Sequence, residues 1–142
     1  MRRNKKIERG RSGLEEKLML DLEQRQIPYE YETLKIPYVK ETCPCCNNII
    51  KKGIYTPDFI IKDLIIEIKG YFNSADRTKH LLIKKSNPDI QIRFLFQVDN
   101  KIGKKSRYSD WATKHGYTYA IIQDVKNPQI PEEWINPNET AA

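Results

Sequence analysis

The chain has 142 residues, 39% of them hydrophobic, and a formal net charge of +6. That is the length of one domain with one modest core, and no stretch approaches the ~20 apolar residues of a membrane span. A pI of about 9.2 favours a polyanionic partner without selecting nucleic acid among such partners.

Residues 1–11 hold Arg2, Arg3, Lys5, Lys6, Arg9 and Arg11 against one acid, Glu8. Such a segment reads as a flexible basic tail, either neutralising phosphates or only solubilising the chain. No apolar segment follows it, so nothing suggests a secretory signal. A single domain is expected over residues 12–142. Ser12 opens a helix: Ser12-Gly13-Leu14-Glu15 matches a capping box, and Leu14, Leu18 and Leu22 make its buried stripe. Glu15 is therefore explained as a cap, without excluding a chemical role. Ile27-Pro28 stops the helix, and the alternation from Tyr29 to Ile36 predicts a half-exposed strand.

Residues 37–54 form a connection long for a compact domain. It contains Cys43-Pro44-Cys45-Cys46-Asn47. Three cysteines, an odd number in one cluster, do not make a disulfide framework and point to a reducing cytoplasm. Cys43 and Cys46 resemble half a zinc ribbon with Pro inside it. Asn47 stands where Gly is usual, and Asn tolerates left-handed backbone angles. Structural zinc wants four ligands, so the alternatives are free thiols on a loop or a Zn²⁺ completed by a second chain.

Two strands rich in Ile follow, 55–61 and 64–70, folded back at Lys62-Asp63. With a two-residue turn there, Ile61 faces Leu64, Ile60 faces Ile65, Phe59 faces Ile66 and Asp58 faces Glu67. Lys69 points to the same face as Glu67, because side chains alternate along a strand. Two carboxylates so close are unfavourable unless a cation lies between them, and hard oxygen ligands select Mg²⁺ or Mn²⁺. The competing reading is an edge hairpin whose charges simply face water.

Beyond Gly70, Ser74 is the expected N-cap of a helix through Lys85, with Leu81 and Leu82 inward and Arg77, Lys79, Lys84 and Lys85 forming a basic surface. His80 is either a group that assists at a phosphate or metal, or a polar contact. Residues 90–98 read as a strand with Ile90, Ile92, Phe94 and Phe96 on one face. Lys101, Lys104, Lys105 and Arg107 make a basic loop, Ser109 is expected to cap a short helix ended by Gly116, and residues 117–122 form a last strand. The remaining tail reads as irregular, with Trp134 packing back. The predicted fold class is α/β: a central mixed sheet flanked by helices.

Pro57-Asp58, eight residues, then Glu67-Ile68-Lys69 resembles the PD-(D/E)xK signature of the restriction-endonuclease-like nucleases. Arg11-Ser12-Gly13-Leu14-Glu15, Ile36-Pro37-Tyr38-Val39, Tyr55-Thr56-Pro57-Asp58-Phe59, Lys69-Gly70 and Asp76-Arg77 with Lys79-His80-Leu81-Leu82-Ile83 resemble, in order, the phage endonuclease I family of Holliday-junction resolvases. The resemblance implies a restriction-endonuclease-like core in a strand-exchanged homodimer, with a bridge at about residues 39–54. It implies a Mg²⁺-dependent endonuclease, Mn²⁺ substituting, that hydrolyses branched DNA during recombination. No small-molecule cofactor and no membrane are expected, and the place of action is the cytoplasm, that of the host if phage-encoded.

It further implies catalytic roles for Glu15, Asp58, Glu67 and Lys69, with Glu15 acting on the partner's site. DNA contacts are expected from Arg9, Arg11, Arg77, Lys79, Lys84, Lys104 and Lys105. Two alternatives remain: an endonuclease of the same chemistry acting on linear duplex, and a non-catalytic junction-binding protein.

Overall fold

A computed structural model describes residues 13–136; the basic tail, with Arg9, Arg11 and the Ser12 cap, lies outside them. Helix α1 (Gly13–Gln24) buries Leu14, Leu18, Met19 and Leu22. Its end is set before Pro28. Gln26 adopts φ 58°, and Ile27 N–H returns to Leu22 O at 2.9 Å while Gln26 N–H reaches Glu23 O at 3.1 Å. This pair of bonds closes the orphan carbonyls of the last turn.

The strand expected over 29–36 is cut short. Only β1 (Glu30–Tyr31) pairs, because Glu32 takes a left-handed conformation at φ 53° and turns the chain out of the sheet. The long connection is also not a loop. Strands β2 (Ile36–Thr42) and β3 (Ile49–Tyr55) form their own antiparallel two-stranded sheet. In this hairpin Tyr38 lies opposite Gly53 and is buried. A Cβ on Gly53 would stand 2.8 Å from Tyr38 Cζ and 2.5 Å from Lys40 Cε, so the ring uses space that only glycine leaves. The hairpin is held to the rest of the molecule by Val39 N–H to Ser86 Oγ at 2.8 Å and Asn87 Nδ2 to Pro37 O at 3.2 Å.

Strands β4 (Phe59–Ile61) and β5 (Leu64–Lys69) meet in the register expected, Ile61 with Leu64, Ile60 with Ile65 and Phe59 with Ile66. Lys62, at φ 57°, supplies the positive angle that the turn needs. Helix α2 (Ser74–Ser86) then crosses to β6 (Ile92–Phe96), which runs parallel to β5; helix α3 (Tyr108–Lys114) leads to β7 (Thr118–Ile121), parallel to β6. A short helix, α4 (Glu132–Ile135), brings Trp134 into the core. The main sheet is mixed and five-stranded, in the order β1-β4-β5-β6-β7.

Two caps differ from expectation. Asn73, not Ser74, caps α2 by accepting Asp76 N–H at 2.8 Å. Arg107, not Ser109, is the N-cap of α3, while Ser109 donates through its N–H to Asp99 at 2.9 Å.

The sheet has a core on each side. On one, α1 and α4 cover Phe59, Ile66, Ile68 and Leu95. On the other, α2, α3 and Tyr38 of the hairpin cover Ile65, Ile92, Phe94 and Phe96. Here α2 turns His80 and Ile83 inward, and Leu81 and Leu82 are only partly buried. Among the described residues no helix is long and apolar enough to cross a membrane.

Candidate active site

The charged residues of the β4–β5 hairpin stand where two strands run into the core, and Asp58 and Glu67 are both buried. The backbone holds them in a reciprocal clasp. Asp58 N–H donates to Glu67 Oε1 at 3.3 Å, and Ile68 N–H donates to Asp58 Oδ2 at 2.8 Å. Tyr55, the last residue of β3, donates its hydroxyl to Glu67 Oε1 at 2.8 Å. The opposite oxygen, Oε2, lies 3.3 Å from Lys69 Nζ, which is also 3.8 Å from Asp76. The expected pairing of Asp58, Glu67 and Lys69 on one face is therefore present.

Two further carboxylates reach Asp58 from the other elements. Glu15, in the first turn of α1, accepts a hydrogen bond from the Tyr31 hydroxyl. Glu32 arrives through the turn that ends β1: its N–H donates to Asp58 O at 3.0 Å. Carboxylate oxygens of Glu15, Glu32 and Asp58 all lie within 4.8 Å of one another, a spacing that a metal ion can bridge. All three belong to one chain. Glu32 was absent from the expected set. The sequence holds Glu30 and Glu32 in an alternating run, and nothing in that pattern marks the one residue that leaves the strand.

The electrostatics follow from this crowding. Burial pushes the Asp58 carboxyl up from 3.8 to about 8, reinforced by Glu67 and Glu15 and opposed by the Ile68 N–H and Lys69. Burial also raises Glu67, against the pull of Lys69 and Tyr55. The Tyr55 phenol is raised by burial and by its carboxylate neighbour. Buried carboxylates that repel one another are relieved by a divalent cation, and an all-oxygen donor set suits a hard one. The residues present fit such an ion.

The polar contact expected of His80 is not made among the described residues. The residue is fully buried, and neither ring nitrogen has a hydrogen-bond partner there. Its ring sits edge-on among Tyr55, Phe72 and Phe94, with centroids 5.4, 6.0 and 4.9 Å away. Burial, with Lys69 and Lys79 nearby, pushes it down to about 2, so it stays neutral.

The basic residues divide by surroundings. Arg77 donates to Phe72 O at 2.6 Å, and Lys84 bonds His115 O and lies over the Tyr117 ring at 4.6 Å; both are held within the fold. Lys104 and Lys105 are exposed on the loop before α3. Lys79 lies over the Tyr55 ring at 5.7 Å. It also lines an open groove of about 460 Å³ between the β2–β3 hairpin and α2, with Tyr38, Lys40, Ser74 and Thr78.

Comparison with known proteins bears on the same constellation. A family model described as phage endonuclease I matches residues 1–142. Endonuclease I of Escherichia phage T7 is 38% identical over 135 residues, covering 92% of this chain and 81% of that relative. Endodeoxyribonuclease 1 of Enterobacteria phage T3 is 40% identical over 127 residues, covering 84% of this chain and 78% of that relative.

Proposed function

The chain belongs to the phage endonuclease I family, and on that premise we propose that it is a metal-dependent endodeoxyribonuclease that resolves four-way and other branched DNA junctions. The observation that carries the chemistry is the buried Asp58–Glu67 pair, with Lys69 beside Glu67 and with Glu15 and Glu32 against Asp58. A protein that only binds DNA has no use for carboxylates packed where phosphate must approach. The non-catalytic alternative is disfavoured on that ground.

Asp58 and Glu67 would hold Mg²⁺, with Mn²⁺ able to substitute, and Glu15 and Glu32 would contribute to the same ion or a second one. When bound, the ion supplies Lewis-acid polarisation of the scissile phosphate and promotes ionisation of water. Lys69, beside Glu67 at 3.3 Å, would orient the attacking water or stabilise charge developing on the phosphate. Tyr55 holds Glu67 in one rotamer through its hydroxyl. Exposed Lys104 and Lys105, and Lys79 at the groove, supply sequence-independent contacts to the backbone. Arg9 and Arg11 would add to them.

The main sheet, with its antiparallel β4–β5 hairpin followed by two parallel crossovers, supports a restriction-endonuclease-like core over residues 12–142. The projecting β2–β3 hairpin carries exposed Ile50 and Ile54, which supports its use as the bridge of a strand-exchanged homodimer. Two sites related by a two-fold axis suit paired cuts across a junction.

The test compares purified protein on a four-way junction and on linear duplex built from the same arms, with Mg²⁺ or with EDTA. Paired nicks in the junction only, abolished by EDTA, are expected. Equal cutting of linear duplex would favour the linear-duplex alternative, and EDTA-resistant cleavage would remove the metal from the scheme.

A further inference from the structure

The tip of the β2–β3 hairpin lies outside the chemistry described so far. The two strands are joined there by Cys43-Pro44-Cys45-Cys46-Asn47-Asn48, and the join is tightly closed. Asn47 N–H donates to Cys43 O at 2.8 Å, and Cys43 N–H donates to Asn48 O at 2.8 Å. Asn47 sits at φ 59°, the left-handed angle that Asn accepts more readily than most residues. This turn folds the segment back so that the three sulfurs converge rather than splay. The Sγ atoms of Cys43, Cys45 and Cys46 all lie within 4.8 Å of one another.

The thiols have no packing role to explain them. Free cysteine is among the most buried residue types, yet Cys45 and Cys46 are exposed and Cys43 only partly covered. Nor are they a disulfide: all three are free, and Cys43 and Cys45 Sγ are 3.0 Å apart, well beyond the ~2.05 Å of a bonded pair. Three soft donors within one ion's reach, on a turn of metal-knuckle form, are matched to a thiophilic cation rather than to the hard ion of the acidic site.

We propose that the hairpin tip is a second metal site, binding one Zn²⁺ per chain through Cys43, Cys45 and Cys46. The fourth tetrahedral position is left to an exogenous ligand, since no other His, Asp or Glu among the described residues joins the cluster. The pair expected from the sequence, Cys43 and Cys46, is thus extended by Cys45, and one chain suffices. The bound ion cross-links the ends of β2 and β3 and fixes the tip's conformation. It takes no part in phosphodiester hydrolysis.

The untagged full chain, purified in a non-thiol reductant without chelator, should contain one zinc per chain by elemental analysis. After metal removal, Co²⁺ titration should raise near-ultraviolet thiolate-to-cobalt absorption that saturates at one equivalent and is displaced by Zn²⁺. Each of Cys43→Ser, Cys45→Ser and Cys46→Ser should weaken Co²⁺ binding at least about tenfold, because each removes one of three protein ligands. Asp58→Asn should leave the cobalt signal unchanged, which keeps this site separate from the nuclease reading. A metal-free chain with no cobalt absorption overturns the proposal. So does saturation at half an equivalent, which would mean an ion shared between two chains, and so does a Cys45→Ser chain that binds as tightly as the wild type.

Discussion

At the scale of single residues, two of the buried titratable groups, Asp58 and His80, have opposite consequences. Asp58 is held protonated to about pH 8 in the absence of a cation. Its folded value lies above its unfolded value of 3.8, so the stability it contributes is fully present below pH 3.8 and is lost as pH rises toward 8. Asp58→Asn should therefore stabilise the metal-free protein at pH 8, on the order of 2–4 kcal/mol, while abolishing cleavage. Thermal melts in EDTA at pH 5 and pH 8 check this; a gain that does not grow with pH would contradict the upward shift of the Asp58 carboxyl. Metal must also displace that proton, so apparent Mg²⁺ affinity should rise with pH up to about 8. Calorimetry in buffers of differing ionisation heat would detect the released protons. His80 is the converse case, a neutral imidazole whose two nitrogens have no hydrogen-bond partner among the described residues. An unsatisfied buried polar atom costs ~1–3 kcal/mol, so His80→Leu, of similar volume, should be at least as stable as the wild type and retain cleavage. Loss of activity without loss of stability would restore a chemical role to that ring.

At the scale of elements, legibility followed locality. The β4–β5 register was readable because a two-residue turn and a period of two leave one arrangement for Asp58, Glu67 and Lys69. The β2–β3 hairpin was not, because its exposed side mixes Lys40, Glu41, Thr42, Lys51 and Lys52 with Ile49, Ile50 and Ile54 and lacks the alternation that announces a strand. Its pairing depends instead on Tyr38 covering Gly53, a contact between residues 15 positions apart. Glu32 was missed for a related reason: its position over Asp58 comes from one left-handed φ and one hydrogen bond to another strand. His80 was misjudged because helical spacing alone made Leu81 and Leu82 the apolar choice, whereas the aromatic cluster of Phe72, Phe94 and Tyr55 drew the imidazole in. Gly53→Val tests the hairpin directly. The added atoms must displace the buried Tyr38 ring, since Lys40 can swing aside and Tyr38 cannot, and overpacking of this kind costs ~1–3 kcal/mol. Urea unfolding should show that loss, with Gly103→Ala, where nothing lies within 4 Å, as the control. An unshifted midpoint for Gly53→Val would mean the ring does not depend on the glycine.

At the scale of the whole molecule, the issue is which chain supplies which carboxylate. Within one chain Glu15 and Asp58 are neighbours, and strand exchange through the hairpin would reproduce the same neighbourhood with the two residues drawn from different chains. Co-refolding Glu15→Ala with Glu67→Ala distinguishes these origins. In an exchanged dimer, one of the two sites in each mixed dimer regains every carboxylate, and the mixture should nick one strand of a junction although neither parent does. An inactive mixture that is demonstrably dimeric would assign each site to one chain.

Tyr55 belongs to two structures at once: it ends the projecting hairpin, and its hydroxyl grips Glu67 in the main sheet. Residues 49–54 of the strand separate that grip from the cysteine turn, roughly 20 Å of arm at ~3.3 Å per residue. Mechanically the hairpin would act as a lever with a long outer limb, its base fixed by the bonds from Val39 to Ser86 and from Asn87 to Pro37. A displacement of several ångströms at the tip becomes a fraction of an ångström at the phenol, which is the range over which a 2.8 Å hydrogen bond is kept or lost. The arm that reaches outward is thus joined, by one hydrogen bond at its base, to a carboxylate of the candidate site.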